Sequence, residues 1–279
     1  MACYKPQQIA EIAVEQGVKK AHNPLPAVLV LGFSAGAFIA LGFLLDIRVI
    51  SNAPEEWGSI ANFIGAAVFP VGLILVLLGG GELLTGNMMA VTMARLSRRI
   101  TTGQWLKNLV LVTVCNFAGA LFVAYFFGHV VGLTASGPYL ETMVGMAGAK
   151  LEDSFLQAFM SGIGCNWLVS LAVWLSYGSD SMSGKILGIW FPTMAFVAIG
   201  FQHVVANMFL IPAAIFEGYC TWGNYFANFV PVWLGNLAGG AVFVACAYWT
   251  AYLRDVNHQV QDNLTASGSR PVNSRPANG

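Results

Sequence analysis

Apolar residues fall along this chain in six long blocks, roughly 26–46, 61–96, 106–128, 154–177, 185–217 and 226–253. A helix that crosses a bilayer needs about 20 mostly apolar residues, and each block is long enough. The second and fifth are too long for one straight span. Each is interrupted near its middle, by GGGELLTGN at 79–87 and by GFQHVVAN at 200–207. The pattern predicts an all-α membrane protein with six transmembrane helices, of which spans 2 and 5 are broken. Residues 1–24 form a polar, mildly amphipathic segment with no cleavable leader pattern. Ile9, Ile12 and Ala13 share a face there and Lys19 and Lys20 close it, which suits either a helix lying on the membrane or an ordinary capped surface helix. A channel or transporter domain is expected over 25–254. Residues 255–279 hold no apolar run and are rich in Ser, Asn and Pro, so a disordered tail is expected.

The chain also matches itself at an offset of about 120 residues. Asn87-Met88 meets Asn207-Met208, Thr101 and Gly103 meet Thr221 and Gly223, Trp105 meets Tyr225, and Asn108 meets Asn228. Asn116, Ala118 and Gly119 meet Asn236, Ala238 and Gly239. Each half holds three spans. An odd number forces the halves into opposite orientations, so this is an inverted repeat of three plus three, as in many transporters and aquaporin-like channels. Irregular backbone at membrane depth must be buried in protein or line a cavity, and paired breaks in corresponding spans mark a transport site. Span 2 and span 5 run in opposite directions. Their second halves, starting near Asn87 and Asn207, therefore bring two helix N-termini to the midplane, where their positive ends favour an anion. Asn87 and Asn207 are expected to cap those ends.

Composition agrees with a membrane location. The chain is 57% hydrophobic and 9% charged, against about 25% charged in soluble domains. Its formal net charge of zero offers no basic excess to nucleic acid. The five cysteines are scattered without a CxxC pair, and neither a metal nor a cofactor is implied. Lys5, Lys19, Lys20, Arg95, Arg98, Arg99, Lys107, Lys185, Arg254, Arg270 and Arg275 fall on one side of the predicted spans, and only Arg48 and Lys150 on the other. The positive-inside rule then puts both termini in the cytoplasm of a multi-pass protein of the inner (plasma) membrane.

Of four histidines only His203 is placed at membrane depth. An ionisable residue there is a functional candidate, as a proton donor or a hydrogen-bond donor to a passing anion, beside the plainer role of a neutral core histidine. Thr85 can offer its hydroxyl to a substrate or to the backbone. Glu82 is expected to organise its loop through salt bridges or hydrogen bonds, since a bare carboxylate in a pore repels anions. Lys150 either draws anions into the outer mouth or snorkels at a helix end. Asn166 lines the pore or bonds across helices. Phe69, Leu73, Leu83 and Phe196 can form apolar constrictions, and the small pairs Gly32/Gly36 and Gly235/Gly239 suit close helix packing.

The stretches GGGELLTGNMM, NWLVSLAVWLSYGSDSMSGKILGIWFP and AFVAIGFQHVVANMFLIP resemble the formate/nitrite transporters, a family of formate, nitrite and hydrosulfide channels. The likeness runs from about Ile9 to Arg254. It implies an aquaporin-like protomer in a homo-pentamer, with one pore per protomer. It implies that Thr85, His203, Asn166, Asn207 and the outer Lys150 face the pore and that Phe69, Leu73, Leu83 and Phe196 constrict it. It also implies small monovalent weak-acid anions as substrates, formate first, moved passively or with a proton. One position departs: a glutamate common before the histidine is Gln202 here, which can hydrogen-bond the imidazole but cannot hold it by charge. Nitrite and hydrosulfide are alternatives to formate. A neutral-solute channel would share the architecture, but its paired Asn-Pro-Ala motifs are missing. A membrane-embedded enzyme would need a catalytic pair that the sequence does not offer, and a scaffold would not need two matched breaks.

Overall fold

The computed structural model describes residues 3–254; the tail expected over 255–279 lies outside the described residues. The described chain is helical, in the order α1 Pro6–His22, α2 Leu25–Ile50, α3 Ser59–Gly80, α4 Leu84–Leu96, α5 Thr102–Val130, α6 Gly137–Leu151, α7 Phe155–Tyr177, α8 Met182–Ile199, α9 Val204–Phe216 and α10 Trp222–Tyr252. Six of these, α2, α3, α5, α7, α8 and α10, are long and apolar enough to cross a membrane. The half-helices α4 and α9 complete spans 2 and 5. Within α3 the ladder lapses at Phe69-Pro70, where proline has no N–H to give.

Several helices start or end a turn away from the apolar blocks because capping chemistry sets their boundaries. Thr101 accepts from the Gln104 N–H at 3.1 Å and Thr221 from the Asn224 N–H at 3.3 Å. Each closes a reciprocal capping box that starts α5 and α10 about a turn before the apolar run begins. The same device, Ser154 with Gln157, starts α7.

The inverted repeat is visible in the packing. α2 lies along α5, and α7 along α10. At the first contact a side chain on Gly36 would strike the backbone of Asn116, and at the second one on Gly239 would strike the backbone of Ile163. Only glycine lets these backbones approach so closely. The core fills the space around α4 and α9, both buried along nearly their whole length.

Two features differ from the sequence reading. The amphipathic face of α1 does not lie on lipid. Ile9, Ala10, Ala13 and Val14 are buried with Met89 and Met93 of α4 and Val173 and Trp174 of α7, and a side chain on Gly17 would strike the Ala90 carbonyl. Ile9 and Ala13 of the expected stripe are buried and Ile12 is half-buried, but protein receives the face. The second feature is α6, which the block pattern did not contain. It is short and mixed in composition, and it is held by burying Met143 and Ala147.

Candidate functional site

Both breaks begin at a glycine with positive φ, 105° at Gly80 and 88° at Gly200, a region that L-residues rarely occupy. The chain then runs extended for three residues and restarts as α4 at Leu84 and as α9 at Val204. One asparagine pins each break. Asn116 Oδ1 accepts from the Leu84 N–H at 2.9 Å, and its Nδ2 donates to the Gly32 and Glu82 carbonyls at 2.8 Å each. Asn236 does the same in the other half: Oδ1 accepts from the Val204 N–H at 2.9 Å, and Nδ2 donates to the Gly162 and Gln202 carbonyls at 2.9 Å each. Each amide thus satisfies two backbone groups that the break would otherwise leave unpaired at depth and ties them to a carbonyl of a neighbouring spanning helix. The sequence showed both residues as repeat matches and gave them no role.

Asn87 and Asn207 are not caps, contrary to expectation. Each lies inside its helix, its own N–H donating to the Leu83 or His203 carbonyl at 2.9 Å. Their side chains tie each break to the third span of its half. Asn87 Nδ2 donates to Glu82 Oε2 at 2.8 Å and to Asn108 Oδ1 at 3.0 Å. Asn207 Nδ2 donates to Gln202 Oε1 at 2.7 Å and to Asn228 Oδ1 at 2.9 Å. Asn108 and Asn228 in turn donate to the carbonyls of Lys20 and Lys150, at 3.1 and 2.9 Å. Lys20 on α1 and Lys150 on α6 therefore occupy corresponding places at opposite ends of the fold.

Within this symmetric frame the central side chains are asymmetric. Leu83 and His203 hold equivalent cap positions, and Thr85 and Val205 equivalent first-turn positions. The imidazole of His203 caps α9, with Nδ1 accepting from the Ala206 N–H at 3.1 Å. A nitrogen that accepts carries no hydrogen, so the neutral ring has its hydrogen on Nε2. Nε2 points at Thr85 Oγ1, 3.1 Å away. Thr85 accepts from it, which leaves the threonine hydroxyl hydrogen to donate elsewhere. The Phe196 ring stacks on the imidazole at 5.5 Å, and Phe69 meets Phe196 edge-on at 5.7 Å.

A cavity of about 470 Å³ leads to this cluster from the α6 end, lined by Asp46, Lys150, Asp153, Phe69, Phe196 and His203, with Asn207 at its base. A small crevice opens on the α1 side, lined by Lys20, Val76, Leu83, Asn87 and Tyr177. Phe69 and Phe196 thus stand on one side of the Thr85–His203 pair and Leu83 on the other, while Leu73 is buried with them in the core.

Asn166 takes the cross-helix role of the two open to it, and the role expected of Gln202 changes. Asn166 lines neither cavity. It is fully buried, and its Nδ2 bridges the carbonyls of Thr85 at 3.2 Å and Asn236 at 2.7 Å. The amide bonds across helices because the backbone of both half-sites presents carbonyls to it. Gln202 does not hold the imidazole either. Neighbours on an extended segment point in opposite directions. Its Oε1 faces Asn207, and its Nε2 donates to Asp153 Oδ2 at 2.7 Å and to the Lys150 carbonyl at 3.0 Å.

The partners of Glu82 are Lys20 Nζ at 3.1 Å, Asn23 Nδ2 at 2.9 Å and Asn87 Nδ2 at 2.8 Å. A carboxylate suits position 82, which faces a lysine, and an amide suits position 202, which faces Asp153. Gln202→Glu is accordingly expected to set two carboxylates in contact and cost roughly 1–3 kcal/mol at neutral pH. The contact holds a proton more tightly in the folded state, so the deficit shrinks on acidification and grows as pH rises. Thermal unfolding of the variant across pH checks both the size and the sign.

Lys150 Nζ donates to the Gly200 and Phe201 carbonyls at 2.6 and 3.2 Å. The ammonium therefore turns inward over the second break and does not snorkel. Burial lowers its pKa from the ordinary lysine range, with Cys165 and Asp153 opposing that shift.

The family model for formate/nitrite transporters matches residues 7–250. The chain is 63% identical over 252 residues to the uncharacterized transporter YrhG of Bacillus subtilis (strain 168), covering 90% of this chain and 95% of that one. It is 58% identical over 252 residues to the formate channel BtFdhC of Bacillus thuringiensis, covering 90% and 97%. A solved pentameric formate channel with formate bound superposes with a TM-score of 0.74 at 31% identity, over 81% of this chain and 97% of that one.

Proposed function

The chain belongs to the formate/nitrite transporter family, and from that premise we propose that it moves small monovalent weak-acid anions, formate first, through one pore in each protomer of a homo-pentamer. The observation that carries this reading is the Thr85–His203 pair. It is a hydroxyl and an imidazole N–H set between the two half-helix N-termini, reached from a cavity with a lysine at its side. A related formate channel and a pentameric structure with formate bound support the choice of substrate and assembly. With both termini in the cytoplasm, as the Lys and Arg distribution predicts, the Lys150 cavity opens to the outside. Leu25, Val110, Phe155, Phe191 and Phe226 are exposed on the single protomer, apolar surface for lipid and neighbouring protomers to cover.

The proposed passage has three stages. Lys150 and the two helix ends attract the anion into the outer cavity. Phe69 and Phe196 then close around it, and a bare charge between apolar rings is expensive. The anion becomes easier to carry by taking hydrogen bonds from His203 Nε2–H and the Thr85 hydroxyl, or by taking a proton. The tautomer favours the first role for His203: its Nδ1 already accepts from the backbone, and the ring donates through Nε2. A proton taken up before the constriction then comes from a source other than this imidazole.

Proteoliposomes bearing the wild-type chain test the reading by uptake of formate, nitrite and hydrosulfide beside water and glycerol. Saturable uptake of the anions is expected, with formate fastest. Glycerol or water flux without anion flux would place the chain among neutral-solute channels.

Lys150 gives a further expected result. Its lowered pKa means that the ammonium is lost at a less alkaline pH than for a free lysine. Attraction thus falls as pH rises, and does so earlier than a free lysine would allow. Lys150→Gln is expected to raise the half-saturating formate concentration roughly 5- to 10-fold, the effect of about 1 kcal/mol of lost attraction. The variant should also flatten the alkaline limb of the affinity profile, as read from concentration-dependent uptake.

A further inference from the structure

Asp46 sits on α2, in the sequence LGFLLDIRVI. It is 2% exposed and lines the 470 Å³ cavity on the mouth side of the aromatic constriction. Three residues earlier on the same helix, Phe43 meets Phe69 edge-on at 5.7 Å. One turn of helix therefore separates the carboxyl from the rings that close the path. One carboxyl oxygen lies against α3 at Gly65, where any side chain would strike it.

Buried carboxyl groups in folded proteins are normally paired or hydrogen-bonded; Asp46 is neither among the described residues, and its carboxyl meets the cavity instead. Arg48, two residues on, is turned away. Its guanidinium donates to the Leu133 carbonyl at 3.2 Å and lies 3.4 Å over the Tyr139 ring. The other titratable groups facing the cavity are committed. Lys150 bonds the Gly200 and Phe201 carbonyls, Asp153 accepts from Gln202, and His203 uses both ring nitrogens. Asp46 alone among them has no partner for its carboxyl.

We propose that Asp46 is a proton-exchanging residue of the outer cavity, which protonates the anion before it reaches the Phe69–Phe196 constriction. The inference rests on the anion-transport reading above. In its step the O–H bond of the Asp46 carboxyl breaks and an O–H bond forms on a carboxylate oxygen of formate. Formic acid and the Asp46 carboxylate result, and no electrons are exchanged between centres. The carboxylate regains its proton from external water through the cavity mouth. Formic acid then crosses between the rings as a neutral molecule and meets the Nε2–H of His203 and the Thr85 hydroxyl.

The test uses the full chain in proteoliposomes, measuring initial formate uptake from mildly acidic to mildly alkaline external pH, with pentamer assembly checked by size. Asp46→Asn and Asp46→Ser both remove the exchangeable proton, one with an amide and one with a small hydroxyl, and Asp46→Glu restores it. General acid–base groups commonly contribute 100-fold or more to a rate, and here the step competes with direct protonation by water. The Asn and Ser variants should therefore fall roughly tenfold on the acid side and lose most of the rise of uptake with acidity, while Asp46→Glu keeps that rise. If either variant assembles, its profile decides. A rate and pH profile equal to wild type would overturn the inference and leave anion transport standing. Faster uptake in the variants would also overturn it, since the carboxylate would then act as a barrier to anions. Wild-type protein that moves no weak-acid anion would overturn the transport reading and this inference with it.

Discussion

Asn236→Leu is expected to remove the second break from the folded structure, the largest stability loss of any substitution considered for this chain. The leucine fits the volume, but the Val204 N–H and the Gln202 carbonyl lose their partners together, and the tie to the Gly162 carbonyl of α7 goes with them. No water reaches a fully buried site of this kind to replace them. A buried polar group left unsatisfied costs about 1–3 kcal/mol, so two give a loss of roughly 2–5 kcal/mol after partial relaxation. Thermal unfolding in detergent should show it, along with dissociation of the assembly. Asn236→Asp, carried as the neutral acid, keeps the acceptor for Val204 and donates one of the two hydrogens, so it should fall between leucine and wild type. If leucine and wild type unfold together, these hydrogen bonds do not hold the break.

His203→Phe is the corresponding result for function. Phenylalanine keeps the ring against Phe196 and removes both the Ala206 cap and the hydrogen donated to Thr85. Loss of the cap costs about 1 kcal/mol of stability, which the assembled protein should survive. The larger loss falls on the permeating formate. A hydrogen bond contributes about 1 kcal/mol to neutral formic acid and about 1.5–3 kcal/mol to the anion, so formate flux should drop roughly 5- to 100-fold, while Thr85→Val, which loses the hydroxyl alone, should drop less. Equal flux in wild type and in an assembled His203→Phe pentamer would remove the imidazole from the path.

The architecture was legible because polar residues are conspicuous in an apolar background. Asparagines repeating at one offset revealed two inverted halves, and glycine with glutamate or histidine inside overlong spans located both breaks. What the spacing could not give was the direction of side chains. Asn87 and Asn207 were assigned as caps on residue preference, yet the helices restart three residues earlier, since Asn116 and Asn236 receive the first N–H from another span. Gln202 was linked to His203 by adjacency, which on extended backbone puts the two side chains on opposite sides. Asp46 falls at the edge of its apolar block, where the pattern does not mark it, although α2 runs on to Ile50 and buries it. The helix α6, which delivers Lys150, is too short to register as a block. The apolar face of α1 was plain, but the partner that covers it is distant in sequence.

The central claim is that a formate-sized anion meets Thr85 and His203 between the two helix breaks. The direct measurement is a structure of the pentamer with formate at saturating concentration. The expected result is formate density on the path from Lys150 to the centre, with an oxygen within hydrogen-bond distance of both the Thr85 hydroxyl and His203 Nε2. Formate bound at another site, with none in the Lys150 cavity or at the Thr85–His203 pair, would contradict it.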